Sequence, residues 1–426
     1  LSSYLSAIIA LNNENNKESL NYFRSSKNLK NKHNQYFKKY ILSLVLNQNV
    51  REAIQEIKIQ KDVIKTDFFE SNLLLLIDSI QKKKYDKSNF YINKILNKNN
   101  IGTFEAIIYQ SLRNYIYTFE KKTINMTQSN YENLDNLNIA FMKCYLNDID
   151  TKKNFEKLVN SRNIDYSRYL FFYTAHLIDQ NQLQDIGKIL NIIDEFSSPL
   201  LVLQTKIWLE NQEYDKFEKI FSCKSEQDIL AEFFFLIANL YSTEDDLEKS
   251  NFFLSLSEYL NKKFKYNLSL MIDNYMKNQN FNQAKKILKK FDENDEIFYW
   301  YKLKKNTSII SNEQNDQQAL TYLKDQYSKI KNKNNKIIFD MANLFKNYKK
   351  YNDAIQLYTL VMENLSETNI TYGDLLYRRG GCYERLGDFE KSDEDLLLAL
   401  KIIPDNSYIL NYLAYSWLER NINISK

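Results

Sequence analysis

The sequence predicts an all-α array of stacked helix pairs, and three observations carry that prediction. Gly and Pro are nearly absent, 6 and 2 in 426 residues, which argues against sheets joined by tight turns that need such residues at fixed places. Apolar residues recur at helical spacing, in runs such as Phe233 to Ala238 that suit a helix core. Helix-pair starts at 198, 231, 265, 300, 335, 373 and 407 are separated by 33, 34, 35, 35, 38 and 34 residues. That fixed interval is the mark of a repeat architecture, which also accounts for a length beyond one ordinary core. A 44% apolar share with 32 Tyr and 26 Phe supplies ample core material. The many Asn, Lys, Ile, Tyr and Phe are residues of AT-rich codons, so Asn runs are read as genomic composition.

The clearest unit spans 373–406. Leu376, Gly380, Tyr383, Gly387 and Phe389 stand at positions 4, 8, 11, 15 and 17. Ser392, Leu396, Ala399 and Pro404 follow at 20, 24, 27 and 32. Positions 8, 20 and 27 are where two helices approach closely, so small residues fit, and larger apolar residues fill the gaps around them. Gly387 suits a left-handed helix end, and Pro404 stops the second helix. Residues of these kinds at this spacing resemble the tetratricopeptide repeat. The same phase runs through units starting at Ser407, Asn335, Trp300, Lys265, Ala231, Ser198 and Ser167, and near the start at Phe69, Asn34 and the opening residues. The 265 unit departs at position 8, where Ile272 replaces a small residue. About a dozen units are expected.

Three regions follow: N-terminal repeats over 1–101, degenerate helix pairs over 102–166, and a C-terminal array over 167–426 with a truncated last repeat. Two helix pairs fit the length between Gly102 and Asn163, without the signature residues. No Pro/Gly/Ser linker separates independent domains, so one continuous array with an irregular joint is expected. The resemblance implies a right-handed superhelix whose concave groove is lined by the first helix of each pair. The chain opens at Leu1 inside a helical pattern and stops at Lys426 within a unit, as expected of a piece of a longer protein whose targeting information lies elsewhere.

In the family, positions 2, 5, 9 and 12 of the first helix face the groove. Positions 5 and 9 are here Phe235 and Asn239, Ser269 and Asp273, Phe339 and Asn343, Tyr377 and Gly381, and Asn411 and Tyr415. Aromatic and amide groups suit an extended or helical peptide, with rings as anchors and amides bonding backbone. The same residues also fit an ordinary surface in a Tyr- and Asn-rich protein. The clamp that grips C-terminal carboxylates in some relatives needs Lys at position 5, and it is absent.

Nothing points to catalysis, a cofactor or a small-molecule substrate. His33 and His176 fall in distant units, and His176, in an apolar first helix, reads as a hydrogen-bonded core or groove residue. Cys144, Cys223 and Cys382 are odd in number and scattered, so neither a disulfide framework nor a metal site is expected, only packed or free thiols. Four of the six glycines cluster at Gly373, Gly380, Gly381 and Gly387, serving packing and capping rather than a phosphate loop. The acidic pairs Asp292–Glu293 and Asp295–Glu296 read as a solvated turn. No stretch reaches a membrane span.

Net charge is +4, too small to argue for nucleic acid. Residues 261–350 nevertheless hold 19 Lys against 9 Asp and Glu. Lys285, Lys286, Lys289 and Lys290 fall on a second helix, and Lys329, Lys331, Lys333 and Lys336 in or beside a turn. A solvated basic face is the plain reading. An electropositive patch for an acidic partner, a membrane surface or RNA is the sharper one, without the stacking aromatics or motif of an RNA reader.

The last segment goes further. Arg379–Gly380, Glu384–Arg385–Leu386–Gly387 and Leu410–Asn411–Tyr412–Leu413–Ala414–Tyr415 resemble a family of long proteobacterial tetratricopeptide proteins, with Ala414 in place of a usual Gly. The opening residues are similar to that family's start. Among its members are outer-membrane lipoproteins that act as adaptors of a periplasmic carboxy-terminal processing protease. The resemblance implies a scaffold or adaptor of the bacterial envelope that holds a protein or peptide partner, an envelope protease and its substrates among the candidates. Membrane association would come only through an N-terminal anchor. A cytoplasmic scaffold, and RNA binding through 261–350, are the competing expectations.

Overall fold

The computed structural model describes residues 1–30, 32–60, 62–96, 103–126, 131–161 and 165–422. Gly102, Asn163 and Lys426, named above, lie outside the described residues. Among the described residues there are 25 α-helices and no strand, and none is long and apolar enough to cross a membrane. The predicted starts at Asn34, Phe69, Asn335 and Ser407 coincide with helix starts. The units at 231, 300 and 373 begin inside the helices Glu226–Thr243, Ile297–Glu313 and Ile370–Leu386.

One turn recurs. Position 15 has a positive φ in the units starting at 34, 69, 167, 198, 231, 265, 335, 373 and 407, at Gln48, Lys83, Asn181, Gln212, Asp245, Gln279, Lys349, Gly387 and Asn421. The backbone bonding closes the first helix there: Gly387 N donates to Glu384 O at 2.9 Å and Asp388 N to Tyr383 O at 3.0 Å. Lys349 and Lys350 donate in the same way to Lys346 O and Phe345 O. These two bonds satisfy carbonyls that a helix end leaves open. The next residue starts the second helix. Asp246, Asn280, Asn315 and Asp388, all at position 16, accept from the backbone N–H three residues on. Each such cap is worth about 1 kcal/mol. Part of the Asp and Asn content is thus structural, and all of these turns but the one at Gly387 form without Gly.

The small positions hold the pairs together. Ala53, Ala238, Ala342, Ser250, Ser392 and Ala399 are fully buried. A Cβ on Gly380 would lie 3.1 Å from Asp395 Cβ, 3.1 Å from Leu396 Cγ and 3.3 Å from Ser392 O. Ile272 is fully buried as well, so the 265 unit accommodates a larger residue at this contact.

The stretch from 102 to 163 corrects the expectation of two pairs. Among its described residues lie one long helix, Thr103–Lys121, and then Glu132–Leu146 and Thr151–Val159.

The chain divides into two compact units, 1–192 with 201–292, and 193–200 with 293–426. In the first, the N-terminal pairs pack back onto later ones. Asn16 Nδ2 donates to Tyr275 Oη at 3.2 Å, and Asn280 Nδ2 to Glu14 O at 2.9 Å. Tyr85 and Tyr145 both donate to Glu226 Oε1, at 2.7 and 2.9 Å. Phe104 stands edge-on to Tyr241.

The cysteine expectation is also corrected. Cys144, on the helix Glu132–Leu146, is bonded to Cys223, just before the helix Glu226–Thr243, with Cα atoms 5.5 Å apart. Residues 79 apart in sequence are brought together by the stacking of pairs, which spacing along the chain does not reveal. Cys382 is a buried free thiol.

In the second unit three pairs, Ile297–Glu313 with Asp316–Lys329, Asn335–Asn347 with Tyr351–Met362, and Ile370–Leu386 with Phe389–Ile402, lead to the helix Ser407–Glu419. The segment 193–200 docks on them: Phe196 meets Phe339 edge-on at 5.3 Å, and Lys336 Nζ donates to Phe196 O at 2.8 Å.

Candidate functional site

Residues four apart on a helix share a face, so each predicted groove pair presents one surface. In the second unit these surfaces differ in openness. Phe339 is buried beneath Phe196, with the Arg378 guanidinium 5.2 Å and Lys336 Nζ 5.6 Å from its ring. Asn343 Oδ1 accepts from Tyr358 Oη at 2.7 Å and Arg378 Nη1 at 3.2 Å, and Asp374 holds the same guanidinium at 2.7 Å. This pair is a closed network rather than an open anchor.

The helices Ile370–Leu386 and Ser407–Glu419 form a cleft of about 330 Å³. Tyr377, Asn411 and Tyr415 line it, with Glu384, Arg385, Tyr408 and Tyr412. Tyr377 and Tyr412 meet edge-on at 5.9 Å. The Tyr412 hydroxyl donates to Glu384 Oε2 at 3.0 Å, and burial together with that carboxylate raises its pKa well above the ordinary value. A Cβ on Gly381 would lie 3.4 Å from Tyr412 Oη, ordinary contact distance, so the glycine forms the floor beneath that ring. Tyr408 and Tyr415 are 76% and 62% exposed, so two rings stand free at the rim while Tyr377 and Tyr412 stay fixed.

Phe235, Asn239, Ser269 and Asp273 belong to the first unit and do not join this cleft. The Arg168 guanidinium covers Phe235 at 3.7 Å and bonds Glu232 through Nε and Nη2, both at 2.8 Å. Ser269 Oγ donates to Tyr266 O at 2.8 Å, while Asn239 and Asp273 are exposed. Tyr408 and Glu384 were overlooked although they occupy positions 2 and 12. Tyr412, at position 6, falls between the expected positions, and Arg385, at position 13, lies just beyond them.

These surfaces offer rings, amides and a few charges. His176 is buried with Nδ1 3.6 Å from Cys144 Sγ, and burial lowers its pKa. Burial pushes the Cys382 thiol up to about 11, which leaves little thiolate. No group of three or more His, Cys, Asp or Glu among the described residues is placed to hold a metal. In the segment 261–350, Lys290 pairs with Glu258 in the first unit. In the second, Lys324, Lys329 and Lys336 pair with Asp353, Asp325 and Asp340. These four lysines are thus already paired.

The family model of the tetratricopeptide repeat matches residues 373–406, the stretch that carries Tyr377, Gly381 and Glu384. One wall of the cleft therefore comes from the first helix of the matched stretch, and the opposite wall from the helix Ser407–Glu419. Among solved structures the chain is similar to Cut9 in the APC/C hetero-tetramer Cut9–Hcn1. The identity is 12%, over 99% of this chain and 84% of that one, with a TM-score of 0.35. It is also similar to yeast Tom70, 9% identical over 99% of this chain and 96% of that one, again with a TM-score of 0.35. Similarity at that level carries no functional argument. A comparison with curated proteins finds no match.

Proposed function

We propose that the chain is a protein-interaction scaffold that holds a partner segment in the cleft between the tetratricopeptide repeat and the helix Ser407–Glu419. The observation that carries this reading is the pairing of fixed and free rings in one concavity. Tyr377 and Tyr412 are held, while Tyr408 and Tyr415 stand exposed beside Asn411. Tyr is a frequent interface anchor because it contributes large contact area at little cost in conformational entropy.

The finer part of the proposal is an adaptor of an oxidising envelope compartment that presents its partner to a protease. The Cys144–Cys223 disulfide supports that location, since such bonds persist in the periplasm and are rare in a reducing cytosol. The resemblance of the last segment to envelope lipoprotein adaptors supports the role.

The test is photo-crosslinking in living cells from a reactive amino acid placed at Asn411 of the full chain. The proposal expects envelope proteins, a protease or its substrates among them, and loss of the crosslink when Tyr408 and Tyr415 are both Ala. Crosslinks to cytosolic proteins alone, or a pattern unchanged by the double substitution, would overturn it.

A further inference from the structure

A second concavity, in the first unit, plays no part in the reading above. Its volume is about 1260 Å³. One wall is the helix Val50–Ile59 with the turn before it and the end of the helix Phe69–Gln81; the other is the helix Leu247–Leu260 with Lys262 and Lys290. The two walls meet where Lys290 Nζ donates to Gln48 Oε1 at 3.2 Å. The packing back of the N-terminal pairs thus creates the cavity.

Its lining is polar, and its charges do not cancel. Five cations face three carboxylates, and each carboxylate is already engaged. Glu258 is bonded by Lys290, and Glu52 by Arg24 from outside the lining at 2.7 Å. Asp78 is shared between Lys58 and Lys82, the latter at 2.7 Å. Arg51 and Lys262 are exposed and make no ion pair among the described residues. Burial and the neighbouring Lys82 depress the Lys58 ammonium against the pull of Asp78, a sign of crowded cations. Arg51, Gln55 and Lys58 follow one another at helical spacing, so they share one face. Amides from Asn47, Asn49, Gln55 and Gln81 stand among the charges.

We propose that this cavity binds an extended acidic peptide segment. Its carboxylates would meet Arg51, Lys262 and the Lys58–Lys82 pair, and its backbone the amides of the lining. The cavity exceeds the roughly 300–1,000 Å³ of small-molecule sites. A single aromatic ring, Tyr259, lines it, whereas single-stranded nucleic acid is gripped by series of stacked rings. Charge and amides with one ring rather than a series of rings fit a peptide best.

The probe is a fluorescent eight-residue peptide of alternating Glu and Gly, read by anisotropy with the full chain, beside the same peptide carrying Gln for Glu. The Glu peptide binds, the Gln peptide binds at least about tenfold more weakly, and affinity falls as salt rises. The double variant Arg51→Ala with Lys262→Ala loses at least about tenfold, a difference of about 1.4 kcal/mol. Its denaturation midpoint stays unchanged, because both side chains are exposed and make no ion pair. Equal binding of the two peptides, an unaffected double variant, or no binding at millimolar peptide overturns the proposal. Binding of oligouridylate that alone is lost in the variant overturns it in favour of nucleic acid. The variant Tyr408→Ala with Tyr415→Ala keeps full peptide affinity, which separates this site from the cleft.

Discussion

Gly380 and Leu396 approach so closely that a Cβ on the glycine would lie 3.1 Å from Leu396 Cγ. Its neighbour Gly381 has room, with Tyr412 Oη the nearest atom to a Cβ at 3.4 Å. Two adjacent glycines of one helix should therefore respond oppositely to Ala. Gly381→Ala gains up to about 1 kcal/mol of helix propensity. Gly380→Ala makes the same gain but crowds Asp395, Leu396 and the Ser392 carbonyl, at an overpacking cost of about 1–3 kcal/mol. Urea denaturation of the two variants should give opposite shifts in midpoint.

The turn at position 15 gives a second pair of opposite signs. Lys349 has φ 58° and Gly387 has φ 79°. A side chain in this left-handed region costs about 1 kcal/mol. Lys349→Gly should raise stability and Gly387→Ala should lower it, each by about that amount in the same denaturation assay.

Reduction of the disulfide has a larger effect. Cys144 and Cys223 close a long loop, and removing such a bond costs about 2–5 kcal/mol. The variant Cys144→Ser with Cys223→Ser should lose that much in chemical denaturation. Alkylation counts should find one thiol in the unfolded oxidised chain and three after reduction, with Cys382 protected while the chain is folded.

Acid should weaken one ion-pair network in a defined direction. Asp340 accepts from Trp300 Nε1 at 3.0 Å and Lys304 Nζ at 2.6 Å, with Lys336 Nζ at 3.0 Å. Burial alone would raise its pKa, but Lys304 and Lys336 outweigh it and hold the carboxyl below its ordinary range. The folded state therefore binds this proton more weakly than the unfolded state. The stabilisation is present above the unfolded value near 3.8 and is lost as pH falls through the lower folded one. Asp340→Asn should cost about 3 kcal/mol at pH 7, where it strands two lysines in a largely buried setting. That difference should begin to shrink as pH falls below about 3.8 and disappear only below the lower folded value.

How far the sequence foretold this structure depends on which contacts are local. The helix pairs, their starts at Asn34, Phe69, Asn335 and Ser407, and the small contacts at Gly380, Ser392 and Ala399 follow from spacing alone, because each is set within one unit. The left-handed turn at Gln48, Lys83 or Lys349 was hidden because its usual marker, Gly, is missing in every unit but one. The Cys144–Cys223 bond, the return of Asn16 and Gln48 onto the 265 unit, and the burial of Phe339 by Phe196 depend on how distant units stack. At the cleft, Tyr377, Asn411 and Tyr415 were legible from repeat position. Tyr412 was not, because it enters only through the open space above Gly381.

The most direct test of the central claim is the affinity of the partner captured at Asn411 for the purified full chain and for the variant Tyr408→Ala with Tyr415→Ala. Both rings are exposed, so the variant should fold with an unchanged denaturation midpoint. If the cleft is the partner site, the dissociation constant rises at least about 30-fold, since two anchor rings are each worth about 1 kcal/mol or more. Unchanged affinity in a folded variant would contradict it and place the partner elsewhere on the protein.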